Sequence, residues 1–181
     1  SGVITSVLAG RCKQVVAIEL EPRTAATLRR NVEKYPNVRV EEVDFITMAL
    51  PNTPYKVFSN IPFHLSSPII RKFADSKNPP IDAYLIVQKQ FAKKLLPDHE
   101  GFSSQLGMSI GPEFAVRIRR HLKRTDFWPF PNVDTVLLEI KRRESPLLSV
   151  TMMQDYRRFI IDNFTSPAAF SKLDLSLVTK S

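Results

Sequence analysis

The chain has 181 residues, 43% of them apolar and 24% charged, which suits one sizeable core or one core with a small appendage. No apolar run reaches the roughly 20 residues that a membrane-spanning helix needs, the single cysteine, Cys12, excludes an internal disulfide, and three well-separated histidines argue against a dedicated metal site. Lys and Arg outnumber Asp and Glu by 26 to 18, a net charge of +8, so a polyanionic partner is expected, nucleic acid ahead of a membrane surface.

In chain order, residues 3–9 (VITSVLA) read as a helix closing near Gly10, a residue type suited to the C′ position. Residues 14–20 (QVVAIEL) form a short apolar run rich in β-branched side chains, which predicts a buried parallel strand. Pro22 suits a helix's first turn, and Ala25, Leu28, Val32 and Tyr35 continue it at helical spacing until Pro36 and Asn37 stop it. Residues 38–43 and 55–60 predict two further strands, the first ending at Asp44 and the second at Asn60. Ser67 and Pro68 resemble the N-cap and N1 residues of a helix that turns Ile69, Ile70 and Phe73 inward. Residues 83–87 (AYLIV) predict a strand and 88–96 a helix.

Alternating strands and helices argue for a parallel α/β sheet. After residue 112 the pattern changes: 114–120 and 134–141 look like antiparallel additions to one edge, joined through a stiff loop at 127–131 (FWPFP). A separate helix is expected around 156–164. The division expected is a catalytic α/β domain over 1–143 and part of a helical domain over 144–181. The chain opens at Ser1 without methionine, so its N-terminus is expected to be incomplete, with the first strand of the sheet lying upstream.

Ligands of such sheets bind beyond the carboxyl ends of the strands, which singles out Glu19, Asp44 and Asn60. Glu19 is placed to accept from the two ribose hydroxyls of a nucleoside cofactor. Asp44 could accept from the cofactor's adenine amine, or simply close an Asx turn. Asn60-Ile61-Pro62-Phe63 is similar to the Asn-Pro-Pro-Tyr type of signature of amino-group methyltransferases. An exocyclic adenine amine is a poor nucleophile because its lone pair is delocalised into the ring. The Asn60 carbonyl and a backbone carbonyl near Ile61 could accept its two N–H groups and localise that pair. Pro62 stiffens the turn, and Phe63 offers a ring on which the base can stack. Farther on, Arg117, Arg119, Arg120, Lys123 and Arg124, then Lys141, Arg142 and Arg143, flank the aromatic residues Phe127, Trp128 and Phe130. Cations for phosphates and rings for bases together suit unpaired nucleic acid.

On the blocks SGVITSVLAGRCKQVVAIELEP, VDF, VFSNIPFHLSSPIIRKF, AYLIVQKQFAKKLL and FWPFPNVDTVLLEIKRRESPL, the chain resembles the rRNA adenine dimethyltransferases, and among them the Erm macrolide-resistance methyltransferases. The resemblance implies a Rossmann-like class I fold, S-adenosylmethionine as cofactor and rRNA as partner, met before ribosome assembly is complete. Gly2 then matches the last glycine of the cofactor loop. Glu19 with Leu20, Asp44 with Phe45, and Asn60 match the cofactor contacts. Asn60, Ile61, Pro62 and Phe63 match the catalytic turn, and Phe127 the ring on the other side of an extruded adenine. The implied product is N6-methylated adenine in 23S rRNA, with macrolide-lincosamide-streptogramin B resistance, made by a cytoplasmic monomer. The rival within the family is a KsgA-type enzyme acting on 16S rRNA. Outside it stand a catalytically silent RNA-binding relative and a small-molecule methyltransferase. The family's Glu-x-Gly-x-Gly opening is absent, and residues 165–181 match the family poorly.

Overall fold

The structure, a computed structural model, describes residues 2–98, 101–102 and 104–164. Ser1 and the 165–181 tail, where the sequence resembles the family poorly, lie outside the described residues. The chain divides into two compact units, one through residue 50 and one from residue 51.

The first unit contains α1 (Val3–Ala9), β1 (Val15–Glu19), α2 (Pro22–Val32) and β2 (Val38–Glu42). β1 and β2 pair in parallel, Val15 opposite Val38 through Glu19 opposite Glu42, with α2 as the crossover. Parallel neighbours need such a crossover because a short hairpin cannot reverse the chain direction twice. The helical spacing read from the sequence faces inward: Ala17, Leu28 and Val32 form the core, with Tyr35, Val38 and Val40 packed against it. Glu21 starts α2 by accepting from the backbone N–H groups of Arg23 and Thr24 at 3.0 and 2.5 Å, just ahead of Pro22. These bonds satisfy two of the orphan donors of the first turn and hold the Glu21 carboxyl below its ordinary pKa, the Thr24 contribution being the largest. α2 ends at Val32, short of the expected Tyr35, so Asn37 does not stop the helix but has another role. Its side-chain amide donates to the carbonyls of Ala9 and Cys12, at 2.8 and 2.9 Å, and so ties the end of α1 to the start of β2. Gly10 caps α1 with an ordinary φ of −75°, so its glycine freedom is unused there. The glycine that needs it is Gly2, at φ +97°, where an added Cβ would also press on Leu28 at 3.0 Å.

The second unit contains β3 (Lys56–Asn60), α3 (Ser66–Ala74), β4 (Asp82–Gln88), α4 (Lys89–Lys93), β5 (Pro97–Asp98), β6 (Gly101–Phe102), α5 (Gln105–Ile110), β7 (Phe114–Leu122), β8 (Thr135–Arg142) and α6 (Val150–Asn163). Its main sheet has the order β3-β4-β8-β7. β3 and β4 are parallel, and β8 is antiparallel to both β4 and β7. β7 therefore runs in the same direction as β3 and β4, a refinement of the antiparallel pair expected at the edge. The later strand β8 is inserted between β4 and β7.

The two faces of this sheet differ sharply. Ala83, Leu85, Val87, Val136, Leu138 and Ile140 share one face and are buried. Helices α3 to α6 supply further buried apolar side chains, among them Ile70, Phe73, Ile110 and Ile160. On the opposite face the cross-strand rows are polar: Lys56 beside Asp82, and Tyr84 beside Glu139 beside Arg117. α3 corrects the expected cap. A 3₁₀ turn at Phe63–Leu65 leads directly into the helix, so Ser66 is its first residue and Ser67 caps nothing. Pro68 is still tolerated, because it falls within the first turn, where backbone N–H groups have no helical partner. Neither the β5–β6 hairpin nor α5 is among the elements expected from the sequence; α5 is capped by Ser104, whose hydroxyl accepts from Gly107 N–H at 3.1 Å. α6 docks within this unit. Tyr156 donates to the Met108 carbonyl at 3.2 Å, and Arg157 reaches the Ala74 carbonyl at 3.0 Å and the Glu113 carboxylate at 2.8 Å.

Candidate functional site

β3 ends at Asn60, and the register then fixes what lies around it. Asn60 is opposite Ile86, while Gln88 at the end of β4 and Leu122 at the end of β7 both oppose Thr135, the first residue of β8. The connection from β7 to β8 must therefore cross the same edge of the sheet at which Asn60 emerges. That connection is the aromatic, proline-rich loop. The result is a cleft of about 250 Å³ lined by Asn60, Phe63, Phe127, Trp128, Pro129, Pro131 and Thr135.

Each wall has a local cause. Ile61 is buried and anchors the turn, while Pro62, at φ −57° and ψ 130°, bends the chain outward and delivers Phe63 to the 3₁₀ turn. Phe63 remains 36% exposed, so its ring is open to the cleft. The Asn60 side chain has no hydrogen-bond partner among the described residues, so its carbonyl and amide are available to a ligand. Phe127 is half-buried, its N–H held by the Arg124 carbonyl at 3.2 Å, and Arg124 also pairs with Asp134 at 3.1 Å across the base of the loop. Thr135 is buried, yet its hydroxyl has no partner among the described residues. Sequence reasoning missed Thr135 and both prolines as lining residues. The prolines were visible as stiffeners, but the burial of Thr135 follows only from the insertion of β8 between two strands.

Apart from Asn60, the expected cofactor positions lie in the first unit. Glu19 is half-buried at the end of β1. One oxygen accepts from Glu21 N–H at 3.1 Å and the other has no partner among the described residues. Asp44 likewise closes an Asx-type turn, accepting from Ile46 N–H at 2.8 Å, and keeps its second oxygen unbonded among these residues. Leu20 is 62% exposed beside Glu19, and Phe45 is half-buried beside Asp44. Two strand-end carboxylates with acceptor capacity to spare, and a glycine in the left-handed conformation, fit a nucleoside ligand: a diol for Glu19 and an amine for Asp44.

The eight basic residues divide into two groups. Arg117 is bonded to the buried Glu139 carboxylate, Arg124 pairs with Asp134, and Arg143 donates to the Gly111 carbonyl at 3.1 Å. Those three side chains are committed within the protein. Arg119, Arg120, Lys123, Lys141 and Arg142 are exposed and form no ion pair among the described residues. A bulge between Ile118 and Arg120 inserts Arg119 as an extra residue, which breaks the strict alternation along β7.

A mixed sheet with this strand order is the α/β Rossmann-like sheet of methyltransferases, and the solved structure of the ErmE 23S rRNA methyltransferase superposes on 91% of the chain with a TM-score of 0.81 at 30% identity, the match covering 66% of that protein. The chain belongs to the ribosomal RNA adenine dimethylase family, whose model matches residues 1–169. It is 32% identical to an rRNA adenine N-6-methyltransferase of Saccharopolyspora erythraea over 91% of the chain and 42% of that protein. It is also 29% identical to the ribosomal RNA small subunit methyltransferase A of a Streptococcus agalactiae strain, over 82% of the chain and 55% of that protein. The chain thus spans about half the length of the curated relatives it matches. No helix among the described residues is long and apolar enough to cross a membrane.

Proposed function

We propose that this chain carries the catalytic part of an S-adenosylmethionine-dependent methyltransferase that modifies the N6 amine of an adenine in 23S rRNA. The observation that carries the reading is the cleft at the end of β3, where Asn60, Phe63 and Phe127 line one space. Bound S-adenosylmethionine supplies an electrophilic methyl group. Glu19 accepts from its ribose and Asp44 from its adenine, flanked by Leu20 and Phe45, and Gly2 allows a close backbone approach. The target base leaves its stack and lies between the rings of Phe63 and Phe127. The Asn60 side-chain oxygen, with a backbone carbonyl of the Ile61–Pro62 turn, accepts from the amine and draws its lone pair out of the ring. The nitrogen would then take the methyl as the sulfonium's S–CH3 bond breaks, its electron pair staying on the departing thioether sulfur, and shed a proton to solvent.

The exposed cations of β7 and β8 hold the RNA backbone. The enzyme acts in the cytoplasm as a monomer, on RNA not yet covered by ribosomal proteins. Relatives of both kinds support rRNA as the substrate, and the Erm-like blocks favour 23S over 16S. The methyl groups would crowd the macrolide pocket and remove a hydrogen-bond donor. The division proposed is a catalytic domain through residue 143 followed by the beginning of a helical domain.

The test is transfer of labelled methyl from S-adenosylmethionine to protein-free 23S and 16S rRNA. Label in one adenine of 23S rRNA, with raised macrolide resistance on expression, supports the proposal. Label in 16S rRNA with unchanged susceptibility replaces it with the KsgA-type activity. Binding of rRNA without transfer replaces it with a silent RNA-binding role.

A further inference from the structure

Trp128 and Phe130 are not explained by the target-base clamp. Trp128 is 86% exposed at the cleft rim and Phe130 is 56% exposed. Their rings stand nearly perpendicular, centroids 5.5 Å apart, in an edge-on contact that leaves most of the indole surface in water. Rings so exposed add little to folding, because the hydrophobic gain comes from area removed from water. They are also held stiffly. Pro129 separates them, Pro131 follows, and Arg124 closes the loop base onto Asp134. A rigid aromatic surface loses little entropy when something stacks on it. Lys123 on the loop, and Arg119 and Arg120 on β7, are exposed without ion pairs among the described residues, while the loop's Asp126 carboxylate accepts from the Lys123 N–H at 2.9 Å.

We propose that Trp128 and Phe130 form a stacking platform for an unpaired nucleotide next to the target adenine. This rests on the reading of the cleft as an RNA base site, and deepens it. A base in the cleft leaves its neighbour unstacked, and the exposed indole at the rim offers that neighbour a new face. Lys123, exposed in the same loop, is available to the connecting phosphates. The platform selects single-stranded RNA, because a duplex keeps its bases paired and stacked against each other. It tolerates many neighbouring sequences, because every base has a π-face.

Trp128 is the only tryptophan in the chain, so its emission reports the contact directly. The probe is a single-stranded RNA of about ten nucleotides with one central adenine, within the footprint of such sites, compared with the same sequence as a duplex. The single strand should quench Trp128 emission and the duplex should not. Trp128→Ala should weaken single-strand binding about 5- to 150-fold, the range for one lost base stack, and Trp128→Phe should restore most of it. An abasic position beside the adenine should remove the quench, whereas an abasic position at the adenine itself should leave it. Equal quenching by duplex, or binding by Trp128→Ala within about twofold of the parent, overturns the platform. So does an emission change that depends on protein concentration without RNA, which would make the surface a contact between copies. Methyl transfer with indifference to Trp128→Ala overturns the platform alone. Trp128-dependent binding without any methyl transfer overturns the enzymatic reading and leaves the platform standing.

Discussion

Phe63 and Phe127 reach one cleft by different routes, Phe63 from the turn that ends β3 and Phe127 from the loop between β7 and β8. Removing either ring should impair methyl transfer more than cofactor binding. A lost base–aromatic stack is worth about 1–3 kcal/mol, so Phe63→Ala and Phe127→Ala should each lower kcat/KM for rRNA while calorimetric affinity for S-adenosylmethionine changes little. Glu19 and Asp44 should behave in the opposite way. Each has one carboxylate oxygen unbonded among the described residues, and losing a hydrogen bond to a ligand typically costs about 0.5–3 kcal/mol. Glu19→Ala and Asp44→Ala should therefore weaken cofactor binding by calorimetry, and unchanged affinity in both would remove them from the site. Tyr55 makes a separate point about stability. Its hydroxyl is buried without a partner among the described residues, and burial pushes its pKa up to about 12. A pKa raised in the folded state means stability present below the unfolded value near 10 and lost as the pH climbs toward 12. Tyr55→Phe should remove that alkaline loss in thermal melts and be neutral or stabilising at pH 7.

At the level of the element, β8 decides most of the unit's character. One of its faces carries Val136, Leu138 and Ile140 into the core, and the other carries Glu139, buried at 2% exposure. A buried carboxylate is tolerated only when paired. The Arg117 guanidinium and then, against the opposing effect of burial, the Tyr84 hydroxyl at 2.8 Å hold the Glu139 pKa below its ordinary value. The same bond, with burial, raises the Tyr84 pKa. A depressed carboxyl contributes stability above its unfolded pKa, about 4.3, and that contribution fades as the pH falls through the folded value. Melting temperature should thus drop on acidification below about pH 5, and the difference between the parent and Glu139→Gln should shrink over the same interval. Arg117→Ala leaves Glu139 buried without its cation and should lower stability, by less than the loss of a fully buried partner would because the Arg117 side chain is 58% exposed. Chemical denaturation measures it.

For the molecule as a whole, the excess of positive charge is an RNA-binding prediction that the structure makes more selective. Binding to single-stranded RNA should weaken linearly in log–log form with salt, with a slope of about −0.7 per neutralised phosphate. Removing Lys123, Arg119 or Arg120 should each flatten that slope by up to about this increment. Arg117→Ala should flatten it less and act through stability instead, because its charge is committed to Glu139. Filter binding across a salt series distinguishes the two groups, and equal slopes for all four variants would contradict the division. Asn60→Ala should retain this electrostatic binding while abolishing methyl transfer and any macrolide resistance it confers.

The sequence by itself determined the strands that end at Glu19, near Asp44 and at Asn60, because short β-branched runs bounded by polar and proline residues admit few other conformations. It also determined the crossover helix with Ala25, Leu28 and Val32 inward, the Asn-Ile-Pro-Phe turn, and the stiffness of the FWPFP loop, all of which are local properties of the chain. Tertiary structure alone decided the rest. Placing β8 between β4 and β7 brought the loop to the edge where Asn60 emerges and buried Thr135. Pairing of β7 with β8 bound Arg117 to Glu139, 22 positions apart in the chain, and left Arg119 and Arg120 free of ion pairs among the described residues. These are non-local pairings, and period and propensity along one strand carry no information about which distant strand will lie beside it.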